Sequence, residues 1–331
     1  MIIGQEKAIS YLNKIIKDDK ISNSFLFFGP AGVGKMSAAR WFAKKLNCLS
    51  EKEEDKPCGK CSSCSKIEKN IHPDICVISP DGASIKIEQT RAILDGVLFR
   101  PFEAKYKVYI IEDAETLTDA ACSQMLKILE EPPRYMAIIL VISDVSNMPA
   151  TVLSRCQRVP FNYISAKLIK SHIEKNFEFE PDKIASLAKL SGGSLGRAVS
   201  FINDKHFWEV RQYALNLASN FINMDYAEAL KQAEQVEGFK GSEELILEFL
   251  TDWFRDIMVL KETKDFNTVI NCDMREELEK SAGEYTVWHI KKIIRNILEA
   301  KRLLKRNVNK KIIFNNLFLK LTNDRGLVAS G

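Results

Sequence analysis

The stretch Phe25-Leu-Phe-Phe-Gly-Pro-Ala-Gly-Val-Gly-Lys-Met36 decides the fold of this chain. Its first four residues are apolar and predict a buried strand. The glycines that follow allow a turn whose backbone N–H groups converge on a phosphate, and the lysine adds a positive charge. A helical pattern then runs from Ser37 to Leu46, so the stretch predicts a phosphate-binding loop; a structural turn before a core helix is the alternative. The predicted binding residues are Gly29, Gly32, Gly34 and Lys35.

The residue after the lysine departs from the usual pattern. A Ser or Thr hydroxyl at this position normally ligates Mg²⁺. Met36 offers only a thioether, whereas the hard Mg²⁺ ion prefers oxygen ligands. The loop is therefore expected to hold ATP or ADP with a weakened Mg²⁺ site. Ser37, one position late, is a substitute hydroxyl that keeps an active ATPase open as an alternative.

A second hydrophobic strand is predicted in Lys107-Val-Tyr-Ile-Ile-Glu-Asp-Ala-Glu115, and it ends in acids. An ATPase with a phosphate loop places here an Asp that faces Mg²⁺ and then a residue that activates water. The order is reversed in this chain. Glu112 is one methylene too long for the metal side, and Asp113 is one too short to reach an in-line water. Because a placed general base is worth about 10²–10⁴ in rate, hydrolysis is predicted to be weak or absent.

Four cysteines follow the first phosphate-loop helix with the spacing C-x9-C-x2-C-x2-C. Two-residue gaps let adjacent thiolates bind one tetrahedral Zn²⁺ at about 2.3 Å. Protein ligands fill all four positions, so the predicted zinc is structural rather than catalytic. The predicted ligands are Cys48, Cys58, Cys61 and Cys64. The other cysteines lack such spacing and are predicted to be small buried side chains: Cys76, Cys122, Cys156 and Cys272.

Length and composition bound the remaining possibilities. The chain has 331 residues, enough for two or three domains, and it is 46% hydrophobic and 28% charged, as in ordinary globular proteins. No apolar stretch reaches the roughly 18 residues that a membrane span needs, and the start lacks a signal-peptide pattern. A cytoplasmic location without a membrane partner is expected. There, eight cysteines favour thiols or metal over disulfides.

Alternating strand and helix patterns extend from Phe25 to Phe161. They predict a parallel α/β sheet of about five strands. Beyond Phe161 the strand signal fades, and helical patterns predict a small and then a larger all-α domain. The predicted domains are residues 1–162, with the cysteine module at 48–64, residues 163–206 and residues 207–331.

Positive charge is unevenly placed although the net charge is only +4: nine Lys and Arg lie between Lys291 and Lys311. Apolar residues interleave with them at helical spacing, which favours the solvated face of a core helix over a nucleic-acid patch. His72 is predicted to be a local structural residue. Four further cations fit a DNA backbone contact and a solvated surface equally well: Arg91, Arg100, Lys105 and Lys107.

Several motifs taken together carry a family resemblance. They are the phosphate loop, the four-cysteine insertion, Leu126-Lys-Ile-Leu-Glu-Glu-Pro-Pro133, Leu153-Ser-Arg-Cys156 and Asn307-Val-Asn309. In combination they resemble the clamp-loader subunits of bacterial DNA polymerase III, in the AAA+ superfamily. The resemblance spans the chain and implies an AAA+ nucleotide-binding domain, a helical lid domain and a C-terminal helical collar domain. The collar would fasten the subunits into a hetero-pentamer.

The resemblance also implies roles for single residues. Arg155 would be an arginine finger that acts in trans on the nucleotide of a neighbouring motor subunit, a contribution of about 10³–10⁵ in comparable systems. Judged without the family, Arg155 is a bridge between a helix end and a strand. Arg197 resembles the lid arginine that touches a bound nucleotide, with an altered spacing caused by the glycine before it. Ile2-Ile-Gly-Gln5 resembles the segment that borders the adenine.

Three functions remain open at this point. A non-hydrolysing stator would work with gamma/tau motor subunits and a delta subunit to load the sliding clamp onto primed DNA, as part of the polymerase holoenzyme, a nucleotidyltransferase. Met36 and the reversed acids favour this function. An active gamma/tau-type ATPase motor would instead use Lys35 and Ser37. A zinc-bearing nucleic-acid-binding protein with an incidental phosphate loop is disfavoured by the Arg155 motif and the collar-like helices.

Overall fold

The computed structural model describes residues 2–97, 99–306 and 308–323. The chain separates into two compact units, Met1–Ile169 with Gly192–Arg197, and Lys170–Ser191 with Ala198–Gly331. The division into three domains stays a prediction. Within the described ranges no helix combines the length and apolar character that crossing a membrane requires. Asn307 of the C-terminal motif lies outside the described residues.

The first unit alternates helices with strands, as the sequence pattern predicts. In chain order its elements are α1 (Glu6–Lys17), β1 (Ser24–Phe28), α2 (Lys35–Asn47), α3 (Ser62–Glu68), β2 (Ile75–Ile78), α4 (Ile87–Val97), β3 (Lys107–Ile111), α5 (Asp119–Glu130), β4 (Met136–Ile142), α6 (Ala150–Leu153) and β5 (Gln157–Pro160). The following helix, α7 (Ala166–Asn176), spans the boundary between the units.

The strands form one sheet in the order β2-β3-β4-β1-β5, and every pairing is parallel. The predicted parallel sheet of about five strands is confirmed. Parallel strands share one carboxyl edge, where ligands bind in open α/β sheets. The phosphate loop after β1 and the acids after β3 therefore reach the same edge, with the end of β4 between them.

Both faces of the sheet are covered by helices. Phe25 and Phe27 of β1 pack into an apolar cluster with α1 and α2, which includes Phe42. Leu26 points the other way, into a cluster that includes Ile93 of α4 and Met125 of α5. Successive residues of a strand face opposite sides, so a strand that is buried on both faces must be apolar throughout. This explains the uninterrupted apolar run before the phosphate loop.

The second unit is built from helices around one apolar core. Its further elements are α8 (Pro181–Leu190), α9 (Leu195–Ile202), α10 (Lys205–Asn220), α11 (Tyr226–Gln235), α12 (Glu243–Thr263), α13 (Arg275–Glu284), α14 (Val287–Leu304) and α15 (Lys310–Asn323), although α9 begins in the first unit. Trp253 and Phe254 of α12 and Phe318 of α15 are fully buried in this core. Ile290 and Ile293 of the basic helix α14 are buried too, as the core-helix interpretation predicts.

A buried ion pair holds α10 to the loop before α13. The Arg211 guanidinium donates to both carboxylate oxygens of Asp273, at 2.7 and 2.8 Å, and to the Asn271 side chain at 2.8 Å. Burial works to raise the pKa of Asp273, but the hydrogen bonds and charge of Arg211 lower it overall. Removing one partner of such a pair leaves an uncompensated buried charge. The pair therefore fixes the loop against the helical core.

Candidate nucleotide and metal sites

The phosphate loop connects β1 to α2 in a tightly constrained conformation. Gly29, Gly32 and Gly34 all have positive φ, at 142°, 71° and 99°. A Cβ on Gly29 would lie 2.1 Å from the Phe161 carbonyl oxygen, and one on Gly32 would lie 2.3 Å from Ser194 Oγ. Only glycine fits both the backbone angles and the space at these positions. The predicted glycine turn between a strand and a helix is present, and phosphate binding by the loop stays a prediction.

Lys35 is turned toward the loop itself. Its side chain is buried, and Nζ donates to the carbonyl oxygens of Gly29 at 2.5 Å and Pro30 at 2.7 Å. Burial lowers the pKa of Lys35, while the nearby carboxylates of Glu115 and Asp113 act in the opposite direction. The ammonium group thus has internal oxygen partners at the position where a phosphate would need it.

Two neighbours of the loop have structural contacts. Met36 is partly buried and packs against the apolar cluster on the α1 and α2 face of the sheet. Gln5 is buried, and its amide nitrogen donates to the carbonyl oxygens of Val33 at 3.3 Å and Asn162 at 2.7 Å. The Asn162 N–H returns a bond to Gln5 Oε1 at 3.1 Å. Gln5 therefore links the phosphate loop to the end of β5.

The two reversed acids differ in their surroundings. Glu112 Oε2 accepts a 2.8 Å hydrogen bond from Ser79 Oγ, beyond the end of β2. Asp113 lies at the surface with φ 46°, a left-handed conformation that Asp tolerates better than most residues. Partial burial and the carboxylates of Glu115 and Glu112 raise the pKa of Asp113, while Lys35 lowers it. Asp113 lies close enough to Lys35 for each charge to affect the pKa of the other group, whereas Glu112 is hydrogen-bonded to Ser79.

Glu115 is a residue of this edge to which the sequence assigned no role. Its Oε1 accepts from the Ser143 N–H at 2.8 Å, which connects the end of β3 to the end of β4. Its Oε2 is buried and has no hydrogen-bond partner within residues 2–97, 99–306 and 308–323. The available signal was a third acid two positions after Asp113. Periodicity alone does not show which of three adjacent acids turns inward.

The four predicted zinc ligands come together. Each offers one Sγ, and the four sulfurs lie within 4.8 Å of one another. Cys61 is the N-cap of α3, and its Sγ accepts from the Cys64 N–H at 3.4 Å. A tetrahedral Zn²⁺ centre with bonds of about 2.3 Å separates its sulfurs by about 3.8 Å, so this donor set fits the ion. Cys48, Cys58, Cys61 and Cys64 can hold one metal.

The thiols of this cluster differ in acidity. N–H groups of Lys60 and Cys61 donate to Cys58 and lower its pKa to about 6. Burial raises the pKa of Cys64 to about 12. Of the other cysteines, Cys122 and Cys156 are buried, as predicted, whereas two are only partly buried: Cys76 and Cys272.

His72 and Asp74 support the cysteine module. His72 is buried, its Nδ1 accepts from the Asp74 N–H at 3.1 Å, and its Nε2 lies 3.3 Å from Ser63 Oγ in α3. The Asp74 carboxylate accepts three backbone N–H bonds, from Phe102, Glu103 and Ala104, at 2.7 to 2.9 Å. The prediction that His72 is a local structural residue is confirmed.

Arg155 lies at the surface between two helices. Its Nη2 donates to Glu130 Oε1 at 2.7 Å, and its Nη1 donates to the Thr151 carbonyl oxygen at 2.8 Å. The side chain keeps 34% of its area exposed. These are the contacts of a bridge to a helix end, and they leave the guanidinium accessible.

The remaining predicted cations occupy two kinds of position. Arg197 is exposed at the start of α9, where its backbone N–H donates to Ser194 Oγ at 3.2 Å. Lys107 is not a free surface charge, because Nζ donates to the carbonyl oxygens of Gly96 at 3.0 Å and Phe99 at 3.2 Å. It caps the end of α4, since a helix C-terminus attracts cations. Sequence spacing does not reveal this tertiary partner.

A parallel sheet with a phosphate loop after β1 and acids after β3, followed by a unit built from helices, is the architecture of a P-loop protein of the AAA+ class. Two family models match the chain: "DNA polymerase III, delta subunit" over residues 4–165, and the C-terminal model of that subunit over residues 205–323. The chain belongs to the family of DNA polymerase III clamp-loader subunits.

Curated relatives of two kinds are similar to the chain. The delta' subunit of DNA polymerase III from Bacillus subtilis is 29% identical over 327 residues, which is 96% of each protein. The tau/gamma subunit of Haemophilus influenzae is 35% identical over 229 residues, 67% of this chain and 33% of that protein. The Bacillus subtilis tau subunit is 31% identical over 305 residues, 86% of this chain and 54% of that protein. The chain thus spans a third to a half of the two tau-type relatives and nearly all of delta'.

Proposed function

We propose that this chain is a delta'-type stator of a bacterial clamp loader. It hydrolyses little or no ATP itself and supplies Arg155 in trans to the nucleotide site of a neighbouring gamma/tau motor subunit. With a delta subunit it helps the motors open a sliding clamp and load it onto primed DNA. The observation that carries this proposal is the difference between Met36, which packs into the apolar core where an Mg²⁺ ligand should be, and Arg155, which is presented at the surface.

The chain's own nucleotide edge supports a role without hydrolysis. Met36 packs against the apolar core and provides no oxygen for Mg²⁺. Glu112, at the metal-side position, is hydrogen-bonded to Ser79. ATP or ADP can still be held by the loop N–H groups and Lys35, with Arg197 as a lid contact. Such binding would stabilise the fold without a metal-assisted reaction.

The Arg155 edge supports a role toward a partner. A phosphoryl-transfer transition state spreads negative charge over the equatorial oxygens, and an arginine from a neighbouring subunit stabilises that charge. Arg155 follows the short helix α6, and α6 packs on α5, so its backbone is fixed by the sheet domain. A cation on a rigid element loses less freedom when it meets a phosphate than one on a mobile loop.

The test is a loader reconstituted from the full chain, delta and motor subunits whose own Ser-Arg-Cys arginines are replaced by Ala. The site that Arg155 completes then dominates the ATPase rate. Arg155→Ala is expected to lower that rate, whereas Arg134→Ala, at another exposed arginine, leaves it unchanged. Equal rates for the Arg155→Ala and unmodified loaders would remove the trans role.

The active-motor alternative keeps one supporting observation. Lys35 and the loop glycines are intact, and Ser37 is exposed on the first turn of α2. Steady-state ATP turnover by the isolated chain at a motor's rate, abolished by Lys35→Ala, would establish this alternative over the stator. The zinc-bearing nucleic-acid-binding protein is not favoured, because the family match covers both the sheet domain and the C-terminal helices.

We further propose that the cysteine module holds one structural Zn²⁺. Cysteine thiolates are soft ligands, and four of them leave no open position for water or substrate. The ion would tie the segment after α2 to the start of α3. Metal analysis of the purified chain is expected to give one Zn²⁺, lost in Cys58→Ser and kept in Cys76→Ser. A metal-free chain that is fully folded would refute the site.

Zinc binding should also release protons. Without metal at pH 7.5, Cys64 with its pKa near 12 holds its proton, while Cys58 with a pKa near 6 is mostly thiolate. Because Zn²⁺ binds thiolates, affinity should rise with pH and fall sharply below about pH 6. Calorimetry in buffers of different ionisation enthalpy measures this release. Identical binding heats in all buffers would contradict it.

A further inference from the structure

Arg155 is held by a residue from the Leu-Glu-Glu-Pro-Pro motif. The Arg155 Nη2–Glu130 Oε1 distance is 2.7 Å, and Glu130 is the last residue of α5. The same guanidinium donates through Nη1 to Thr151 of α6. Two bonds from two helices therefore restrain both the position and the plane of the guanidinium group.

Helix stability does not explain a carboxylate at this position. The C-terminal end of a helix carries partial negative charge, so an acid in the last turn is unfavourable there. Glu130 is also exposed, and it contributes nothing to the apolar core. Its charge is balanced by Arg155, which lies 25 residues later in the chain. The ion pair with Arg155 is thus the contact that accounts for a carboxylate at position 130.

Glu130 sits on a well-anchored helix. Met125, Ile128 and Leu129 of α5 are buried in the sheet domain, and the Thr118 side chain caps the start of the helix by accepting from the Ala121 N–H. The backbone that carries the Glu130 carboxylate is therefore held in place by the packing of α5. The carboxylate can thus orient a flexible arginine side chain, which otherwise loses rotamer freedom on meeting a ligand.

The remaining donors of Arg155 suit an oxygen anion. A guanidinium has five N–H groups. Contacts among the described residues use one N–H of Nη2 on Glu130 and those of Nη1 on Thr151 and, at 3.4 Å, on Ser154 Oγ. The Nε–H and the second Nη2 N–H remain for a phosphate oxygen. The ion pair thus restrains the arginine and leaves two guanidinium N–H groups available to a phosphate.

We propose that Glu130 is a positioning residue for the arginine finger, which it holds ready for the partner's phosphate. This inference rests on the proposed trans role of Arg155. Orientation matters most where charge develops in the transition state, because preorganised donors need no rearrangement there. Losing Glu130 should therefore lower kcat and leave the KM for ATP unchanged.

The experiment uses the reconstituted loader whose motor subunits lack their own finger arginines. Glu130→Ala is expected to lower kcat about threefold, the scale of one exposed ion pair, without changing KM. Glu130→Gln, which retains an oxygen acceptor, should lie between Glu130→Ala and the unmodified protein. Glu131→Ala, at the neighbouring exposed carboxylate, is the matched control and should match the unmodified protein in rate and melting temperature.

A double-mutant cycle separates positioning from a general structural effect. If Glu130 acts through the arginine, Glu130→Ala has no further effect in an Arg155→Ala background. An equal loss in both backgrounds, or an unchanged or raised kcat for Glu130→Ala alone, overturns the inference. An Arg155→Ala loader with full activity overturns the trans role itself, and the positioning inference with it. The two failures are therefore distinguishable.

Discussion

The phosphate loop and the Arg155 edge both carry a cation, and they hold it in opposite ways. Lys35 is 7% exposed, and its ammonium is bound by carbonyl oxygens of its own loop. The Arg155 side chain is 34% exposed, and its contacts among the described residues leave two of its N–H groups available to a ligand. One cation is directed inward and the other outward.

The difference concerns where chemistry is possible. Around Lys35, the positions that should bind Mg²⁺ are replaced or engaged: Met36 packs in the apolar cluster, and Glu112 accepts a hydrogen bond from Ser79. Around Arg155, the neighbouring groups orient a charge without enclosing it. Intact glycines in a phosphate loop therefore do not establish hydrolysis. The partners of the surrounding side chains decide it.

The largest expected effect concerns two alanine variants in the reconstituted loader. Arg155→Ala should lower the rate at the site it completes by about 10³-fold or more, since arginine fingers contribute about 10³–10⁵ in rate. For the proposed stator, Lys35→Ala should leave that rate unchanged, because the chain's own loop would take no part in the reaction. ATPase assays at saturating clamp and primed DNA measure both. A large loss from Lys35→Ala would reverse the assignment of the two cations.

A second prediction concerns the missing metal and base residues, which substitutions can restore. The isolated chain is expected to show turnover near background, and the triple variant M36T/E112D/D113E should gain up to about 10²–10⁴, the worth of a placed base. The gain should disappear when Lys35→Ala is added. If the triple variant stays at background in a phosphate-release assay, the hydrogen bonds of Lys35 to its own loop, rather than the missing ligands, prevent hydrolysis.

A third prediction concerns the loop as a packed element. Gly32→Ala should destabilise the chain by about 1–3 kcal/mol, because its φ is positive and its Cβ would meet Ser194. Gly283→Ala in α13, where a Cβ meets nothing within 4 Å, should be neutral or stabilise by about 0.4–1 kcal/mol. Urea unfolding measures both changes. Equal effects would show that the loop glycine has no packing role.

The smallest expected effect is that of Mg²⁺ on nucleotide affinity. Since Met36 cannot ligate the ion, the Kd for ATP with and without Mg²⁺ should agree within about twofold. An equilibrium titration by fluorescence or calorimetry measures this, with Lys35→Ala as the variant that weakens binding in both conditions. A tenfold tightening by Mg²⁺ would show that another oxygen, such as that of Ser37, completes the metal site.

Local patterns predicted much of the fold. The apolar runs before the phosphate loop and in Lys107–Ile111 gave strands because residues buried on both faces must all be apolar. The cysteine spacing predicted the cluster, since a knuckle fixes its ligands within a few residues. The places where the chain passes from one unit to the other, which include positions within α7 and α9, were not predicted. They depend on contacts between distant segments.

The candidate site was predicted less completely. Motif position identified Lys35, Glu112 and Asp113, but it did not identify their partners. Lys35 donates to carbonyl oxygens of its own loop, and Glu112 accepts from the distant Ser79. Likewise, Lys107 donates to the Gly96 carbonyl oxygen at the end of α4, and Glu115 accepts from the Ser143 N–H at the end of β4. A one-dimensional pattern shows that a charge is present and does not show which carbonyl or N–H group will meet it.

For the stretch Phe25–Met36, the sequence by itself determined a strand, a glycine turn and a lysine, because backbone conformation there depends on local sterics. Only the tertiary structure decided that the lysine bonds its own loop and that Arg155 meets Glu130. The Arg155–Glu130 contact follows from the packing of α5 against α6, which brings together residues 25 positions apart in the chain. Packing fixes the distances between groups far apart in the chain, and side-chain hydrogen bonds depend steeply on such distances.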